Sequence, residues 1–214
     1  MLEQITWFRQ AAIRWSDGER TVYIDPWGTR AEDAPADVIL ITHAHRDHFH
    51  PEEIERLSSS GAKIAAPPDV AAELSGDVTP IAPGESHELA GVRFTTVPAY
   101  NTREEALDFH PEAKRWVGYV IELDGTSYYH AGDTDHAPEL DDVRANVAFL
   151  PIGGHFTMDP EEAGGLAKAI APELAVPIHY GFVVGSASDG DRFRAAADPV
   201  KAELLSPRDP FERR

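Results

Sequence analysis

No cysteine occurs anywhere in the 214 residues. Disulfides and thiolate ligands are thereby excluded, and any bound metal must be held by nitrogen and oxygen. Nor does any run approach the roughly 18 apolar residues of a membrane-spanning helix, so no membrane partner is expected. Lysine is scarce: Lys63, Lys114, Lys168 and Lys201 are the four, among 19 basic against 37 acidic residues, for a net charge of −18. Such a balance repels phosphodiester polyanions, and no basic patch interleaved with aromatics is present, which disfavours nucleic acid as a partner. The opening Met1–Phe8 lacks a basic stretch followed by an apolar one, so no secretory signal is read there and a cytoplasmic location is expected. Repeats, low-complexity runs and linker-like segments are also missing. At this length a single domain over 1–214 is the expectation.

What is present is a dense cluster of metal-binding side chains. After the apolar run Val38-Ile39-Leu40-Ile41 comes Thr42-His43-Ala44-His45-Arg46-Asp47-His48. Three imidazoles and a carboxylate fall within six positions, the ligand chemistry of zinc and its first-row neighbours. Pro51 suits a first helical position, and Glu52 and Glu53 suit the positive end of a helix dipole. The cluster therefore sits on a strand-to-helix loop. Residues at i and i+2 on extended backbone point to one side, so His43 and His45 can share an ion, while Asp47 and His48 can serve a second. Chance clustering among ten histidines is the plainer alternative.

Two further blocks have the same form, an apolar strand ending in a ligand-type residue. They are Tyr129-His130-Ala131-Gly132-Asp133-Thr134-Asp135 and Val176-Pro177-Ile178-His179-Tyr180-Gly181. With His-x-His-x-Asp-His they resemble the metallo-β-lactamase superfamily, in the same order along nearly the whole chain. The stretch Phe149 to Ala163, which includes Gly153-Gly154-His155, is similar to the UlaG-like branch. The resemblance implies an α/β fold, the αβ/βα four-layer sandwich of two mixed β-sheets with helices on the outer faces. It also implies that Asp133 bridges two metals and that His179 is the last ligand.

One position departs from the family's pattern. The superfamily supplies a third histidine to the first metal from a loop after the first block. The matching segment, Phe94 to Asn101, places Asn101 there. Either Asn101 binds weakly, or the first site is depleted, or another histidine fills in. His110, in Asp108-Phe109-His110-Pro111, is the nearest candidate, and whether it touches metal, substrate or neither is open. The ligand set implied by the resemblance is thus His43, His45, Asp47, His48, Asn101, Asp133 and His179, for one or two Zn2+ ions, with Mn2+, Fe2+ or Ni2+ as alternatives. Asp47, His110 and His155 are the expected catalytic contacts.

The function implied is a metal-dependent hydrolase, using a metal-activated hydroxide on a small ester, lactone or phosphoester. Its partner would be a small-molecule substrate, and a homo-oligomer stays open. Two other readings remain: a metal-binding sensor or scaffold with little turnover, and a nuclease or phosphodiesterase.

Strands are expected at Ile5–Ile13, Thr21–Asp25, Val38–Thr42, Lys63–Ala66, Gly91–Pro98, Trp116–Leu123, Thr126–His130, Val147–Pro151, Leu174–Ile178 and, as a final edge, Val200–Leu205. Helices are expected at Pro51–Ser60, Asp69–Leu74, Pro160–Ile170 and Asp191–Ala197, and Ile81–Leu89 is read as a surface connection. The acidic, lysine-poor composition fits either an ordinary acidic protein or one adapted to high salt. Melting temperature measured from low salt to molar potassium chloride separates them: it rises steadily if the protein is salt-adapted, and stays flat or falls if it is not.

Overall fold

The structure, a computed structural model, describes residues 1–212. Its first half is β1 (Ile5–Trp7), β2 (Ile13–Ser16), β3 (Thr21–Ile24), β4 (Val38–Leu40), α1 (Pro51–Leu57), β5 (Lys63–Ala66), α2 (Pro68–Ala71) and β6 (Asp77–Pro80). The second half is β7 (Ser86–Leu89), β8 (Val92–Pro98), β9 (Val117–Leu123), β10 (Thr126–His130), β11 (Val147–Pro151), α3 (Pro160–Ile170), β12 (Leu174–Ile178) and α4 (Asp189–Ala197). Among the described residues these strands make two six-stranded mixed sheets, β1-β2-β3-β4-β5-β6 and β12-β11-β10-β9-β8-β7.

The layers follow from the side-chain alternation of strands. Val22, Ile24, Val38, Leu40 and Ala65 join Phe94, Tyr119 and Ile121 of the other sheet in one core. The alternate residues Tyr23, Ile39, Ile41 and Ile64 pack instead with Ile54 and Leu57 of α1 and Val70 of α2. The Tyr119 hydroxyl crosses between the sheets and donates to the Ile41 carbonyl at 2.6 Å. On the far side, Leu166 and Ile170 of α3 and Phe193 of α4 are buried against the second sheet. Helices thus flank a pair of packed sheets, the sandwich the motifs implied. The short strand β4 is buried at every position and lies parallel to both β3 and β5, which is why it reads as an unbroken apolar run. Helix α3 starts as its sequence requires: the Asp159 carboxylate accepts from the Glu162 N–H at 2.8 Å, and Pro160 opens the first turn.

Four expectations change. Ile5–Ile13 is not one strand. Gln10 adopts a positive φ of 46°, and the chain reverses there, with the Phe8 N–H donating to the Ala12 carbonyl at 2.9 Å. Asp77–Pro80 is an edge strand that the sequence hides, being four residues, half-exposed and ended by proline. Ser86–Leu89, read as a connection, pairs with β8 as the opposite edge. Val200–Leu205 makes only an isolated bridge, Ala175 to Ala202.

Beyond that bridge the chain straps back over the molecule. Arg208 pairs with Asp33 at 2.6 Å and lies over the Phe8 ring at 4.3 Å. Phe211 presses against Gly181, where a Cβ would come within 2.4 Å of its ring.

The approach of α4 to α3 depends on Gly164, where a Cβ would stand 2.6 Å from the Ala196 Cβ. At Gly165 the nearest atom to such a Cβ is His136 Nδ1, at 3.8 Å. Gly164→Ala should therefore destabilise the fold by about 1–3 kcal/mol despite alanine's better helix propensity, whereas Gly165→Ala should stabilise it by up to about 1 kcal/mol. Urea unfolding of the two variants checks the contrast.

Candidate metal centre

Strands β8, β10, β11 and β12 run the same way, as do β3 to β6. Their C-terminal ends deliver the expected residues to one edge of the sandwich. From the loop after β4 come His43, His45, Asp47 and His48; Asp133 follows β10, and His179 follows β12 directly.

Two groups of ligand atoms form there. His43, His45 and His110 make one, Asp47, His48 and His179 the other, each with its donor atoms within 4.8 Å of one another. Asp133 lies between them. Its Oδ2 stands 3.4 Å from His110 Nε2, 3.1 Å from His179 Nε2 and 3.9 Å from His43 Nε2, and its Oδ1 stands 3.4 Å from His48 Nε2. A third group, Asp25 with His43 and His48, lies behind these: Asp25 Oδ2 is 2.7 Å from the far nitrogen of His48 and accepts from the Thr42 hydroxyl at 2.6 Å.

The donor set fits a metal on two counts. Buried atoms His48 Nε2, His110 Nε2 and Asp133 Oδ1 have no hydrogen-bond partner among the described residues, a costly state for groups that converge on one another. His43 Nε2 and His45 Nδ1 also stand 3.1 Å apart. Burial pushes His43 well below the ordinary imidazole range, helped by the charge on His48. For His45, burial and then His110 lower the pKa to about 4. Both shifts favour the neutral form that ligation requires.

In the other group the shifts run the opposite way. Burial alone would lower His48 and His179, but the carboxylates outweigh it. Asp133, Asp47 and Asp25 hold His48 well above its usual value, and Asp133 with Asp47 raises His179 to about 9. Conversely, Asp47 and Asp133 resist the upward push of burial because imidazolium faces them, and both sit well below the carboxylate range. A divalent cation would take the place of those protons.

Asn101 and His110 divide the role expected of one residue. The backbone closes a loop, with the Asn101 N–H donating to the His110 carbonyl at 2.9 Å, and this turns the imidazole inward. Asn101 stands behind it. Its Oδ1 is 2.8 Å from His110 Nδ1, and its amide donates to Asp135 Oδ1 and the Phe156 carbonyl, each at 2.9 Å. Asp135 in turn accepts from the Thr102 and Arg103 N–H groups and from the Arg103 guanidinium.

His155 is brought only to the periphery. It is exposed and packs on Phe109 and Phe156, with ring centroids at 5.7 and 4.4 Å. His130 is buried, 2.8 Å from the Ala11 carbonyl, and its Nδ1 accepts from the Gly132 N–H at 3.2 Å, steadying the Asp133 loop.

Gln10 and Asp25 escaped the sequence reading. The Gln10 amide donates to Asp47 Oδ2 at 3.2 Å and lies 3.1 Å from His179 Nε2, while its carbonyl accepts from the His179 N–H at 2.8 Å. A buried amide interrupting an apolar hairpin, and an aspartate ending Thr21-Val22-Tyr23-Ile24, were the available signals. Gly153 is also fixed by the site, since a Cβ there would meet the His179 carbonyl at 2.7 Å.

Above the ligands a cavity of about 200 Å³ is lined by His45, Asp47, Phe109, His110, Asp133, Phe156, His179 and Val183.

Two packed mixed sheets with histidines and aspartates at the strand ends define a metallo-β-lactamase sandwich. The family described as Beta-lactamase superfamily domain matches residues 4–179. A UPF0173 metal-dependent hydrolase from Thermococcus onnurineus is 35% identical over 207 residues, covering 89% of this chain and 91% of that one. The chain belongs to this superfamily and is one of its metal-dependent hydrolases. A crystal structure provisionally named a metal-dependent hydrolase, from Parabacteroides distasonis, superposes with a TM-score of 0.85 at 28% identity, covering 95% of this chain and 93% of that one. Igni18, a metallo hydrolase from Ignicoccus hospitalis, does so with 0.75 at 27%, covering 95% and 94%.

The division between Asn101 and His110 generates a test. His110→Ala should abolish one equivalent of bound metal, whereas Asn101→Ala should keep the stoichiometry and weaken that site by about 10–100-fold, as loss of an orienting partner does. Competition titration with a chromogenic chelator reads both. Loss of a full equivalent in Asn101→Ala with none lost in His110→Ala would restore Asn101 as the ligand.

Proposed function

We propose that this hydrolase cleaves a small carboxylic ester or lactone, with zinc as its ion. The observation that carries the reading is the cavity wall. Its floor is ligand atoms, its sides are Phe109, Phe156 and Val183, and no lysine or arginine is among its lining residues. Phosphoryl chemistry calls for cationic groups around the transferring oxygens, whereas an acyl group calls for apolar walls and a polarised carbonyl. At about 200 Å³ the cavity is smaller than the roughly 300–1,000 Å³ of drug-sized sites, which favours a small substrate over a polymer.

In this reading His43, His45 and His110 hold one ion, Asp47, His48 and His179 the other, and Asp133 is shared. When bound, such ions lower the pKa of water from 15.7 to about 7 and polarise a carbonyl oxygen. The chain's own groups prepare that chemistry. Asp47, kept ionised and held by the Gln10 amide, orients a water proton by accepting from it. Asn101 and Asp25 fix the ring planes of His110 and His48 from behind. Phe109 and Phe156, edge-to-face at 4.7 Å, keep bulk water from the reacting carbon. His155 buttresses that wall from outside rather than touching the reacting atoms. Membership of the UlaG-like branch and a cytoplasmic location accord with this reading and belong to the proposal.

The test pairs elemental analysis with a substrate panel. Protein purified without added metal should contain near two equivalents and turn over esters or lactones faster than phosphodiesters. Asp133→Ala and His45→Ala should each lose metal and at least about a hundredfold in kcat/KM. Full metal content without hydrolysis of any ester, lactone or phosphodiester would favour a sensor and overturn the reading.

A further inference from the structure

A second cavity of about 360 Å³, lined by Trp27, Arg46, Asp47, His50 and Val183, opens beside the first. The two share Asp47 and Val183. A molecule whose reacting carbon sits over the ligands therefore has room to extend past Val183 into this outer compartment.

Its cation has no protein carboxylate to satisfy it among the described residues. Arg9, Arg30, Arg103 and Arg208 are each tied to a carboxylate. Exposed Arg46 makes no ion pair or side-chain hydrogen bond among the described residues. It projects from the ligand loop itself, between His45 and Asp47, so its backbone is held by the metal centre. On the facing side, His50 Nδ1 is buried without a hydrogen-bond partner among the described residues. The nearest carboxylate, Glu53, is 4.0 Å away and already accepts from the Gly28 and Thr29 N–H groups. Trp27 supplies a flat wall, stiffened by the Arg9 guanidinium 5.5 Å above its ring.

We infer that this compartment binds a carboxylate carried by the substrate, with Arg46 as its principal anchor and His50 beside it. The inference rests on the ester or lactone reading for what lies at the inner end. A guanidinium presents paired N–H groups that match a planar carboxylate. With one such cation, and with Asp47 and Glu53 close by, the compartment suits a monoanion better than a phosphate dianion. On a chain of net charge −18, one free cation at the mouth decides whether an anionic substrate is admitted.

The zinc-loaded protein is assayed with a matched pair, mono-4-nitrophenyl glutarate and 4-nitrophenyl butyrate, and calorimetry compares binding of glutarate with that of butyrate. Wild type should prefer the member of each pair that carries the additional carboxylate, the glutarate ester over the butyrate ester and glutarate over butyrate. Arg46→Gln, compared at equal bound metal, should reduce the ratio of kcat/KM values and the ratio of affinities by about tenfold. Arg46→Lys should restore part of the preference, and 0.5 M potassium chloride should weaken it. Equal handling of both members by wild type, or an Arg46→Gln ratio equal to that of wild type, overturns the inference, and turnover of the neutral ester then leaves the hydrolase reading intact. Glutarate preference lost in Arg46→Gln with no turnover of either ester supports the compartment and overturns the ester reading of the inner site.

Discussion

The constraint that governs this molecule is the burial of the Asp133 carboxylate, with the partly exposed Asp47 beside it, among four imidazoles. An isolated carboxylate cannot be taken out of water without compensating positive charge. Asp133 is 3% exposed and faces nitrogens from three separate chain segments. Positive charge must therefore come from within, as protons on His48 and His179 or as a bound cation in their place. Metal affinity and fold stability are thus the same balance seen from two sides.

Meeting that constraint fixes the surroundings. Three of the candidate ligand rings are held from behind, by Thr42 for His43, Asp25 for His48 and Asn101 for His110. Behind Asn101 the chain continues to Asp135 and Arg103, whose guanidinium also reaches the Gly154 and Thr157 carbonyls. The backbone bends to the same end. Gln10, Asp25 and His179 all have positive φ, 46°, 47° and 58°, a region that costs non-glycine residues about 1–3 kcal/mol. All three meet at the second ligand group, and the His179 N–H donates to the Gln10 carbonyl. The C-terminal strap completes the support, with the Glu212 N–H donating to Gly181, two residues past His179.

How much of this was legible in the sequence follows from how local each signal is. His43, His45, Asp47 and His48 lie on one continuous loop, so spacing alone brings them together. Asp133 and His179 each end an apolar strand, and parallel strands deliver their ends to one edge. Which of Asn101 and His110 turns inward was not legible, because it depends on how the loop between them closes, and either residue could do so on spacing alone. Gln10 and Asp25 were missed for another reason: they act through partners 37 and 23 positions away, a separation no local pattern encodes. The edge strands Asp77–Pro80 and Ser86–Leu89 were hidden because each is four residues with few apolar side chains, too short to display the alternation by which half-buried strands are read.

Charge links the site to the surface. Hydrolysis of an ester or lactone creates a new carboxylate beside Asp47 and Asp133, inside a molecule carrying a large excess of acid. That field opposes retention of the product as much as entry of an anionic substrate. Its reach is limited to about 8–10 Å at ordinary ionic strength, so remote acidic residues act weakly and those at the mouth dominate. On the ester or lactone proposal, a single unpaired arginine next to the ligand loop is then enough to reverse the local sign for one group on the substrate. The acidic surface that argues against polyanions is, on this account, compatible with a small anionic substrate.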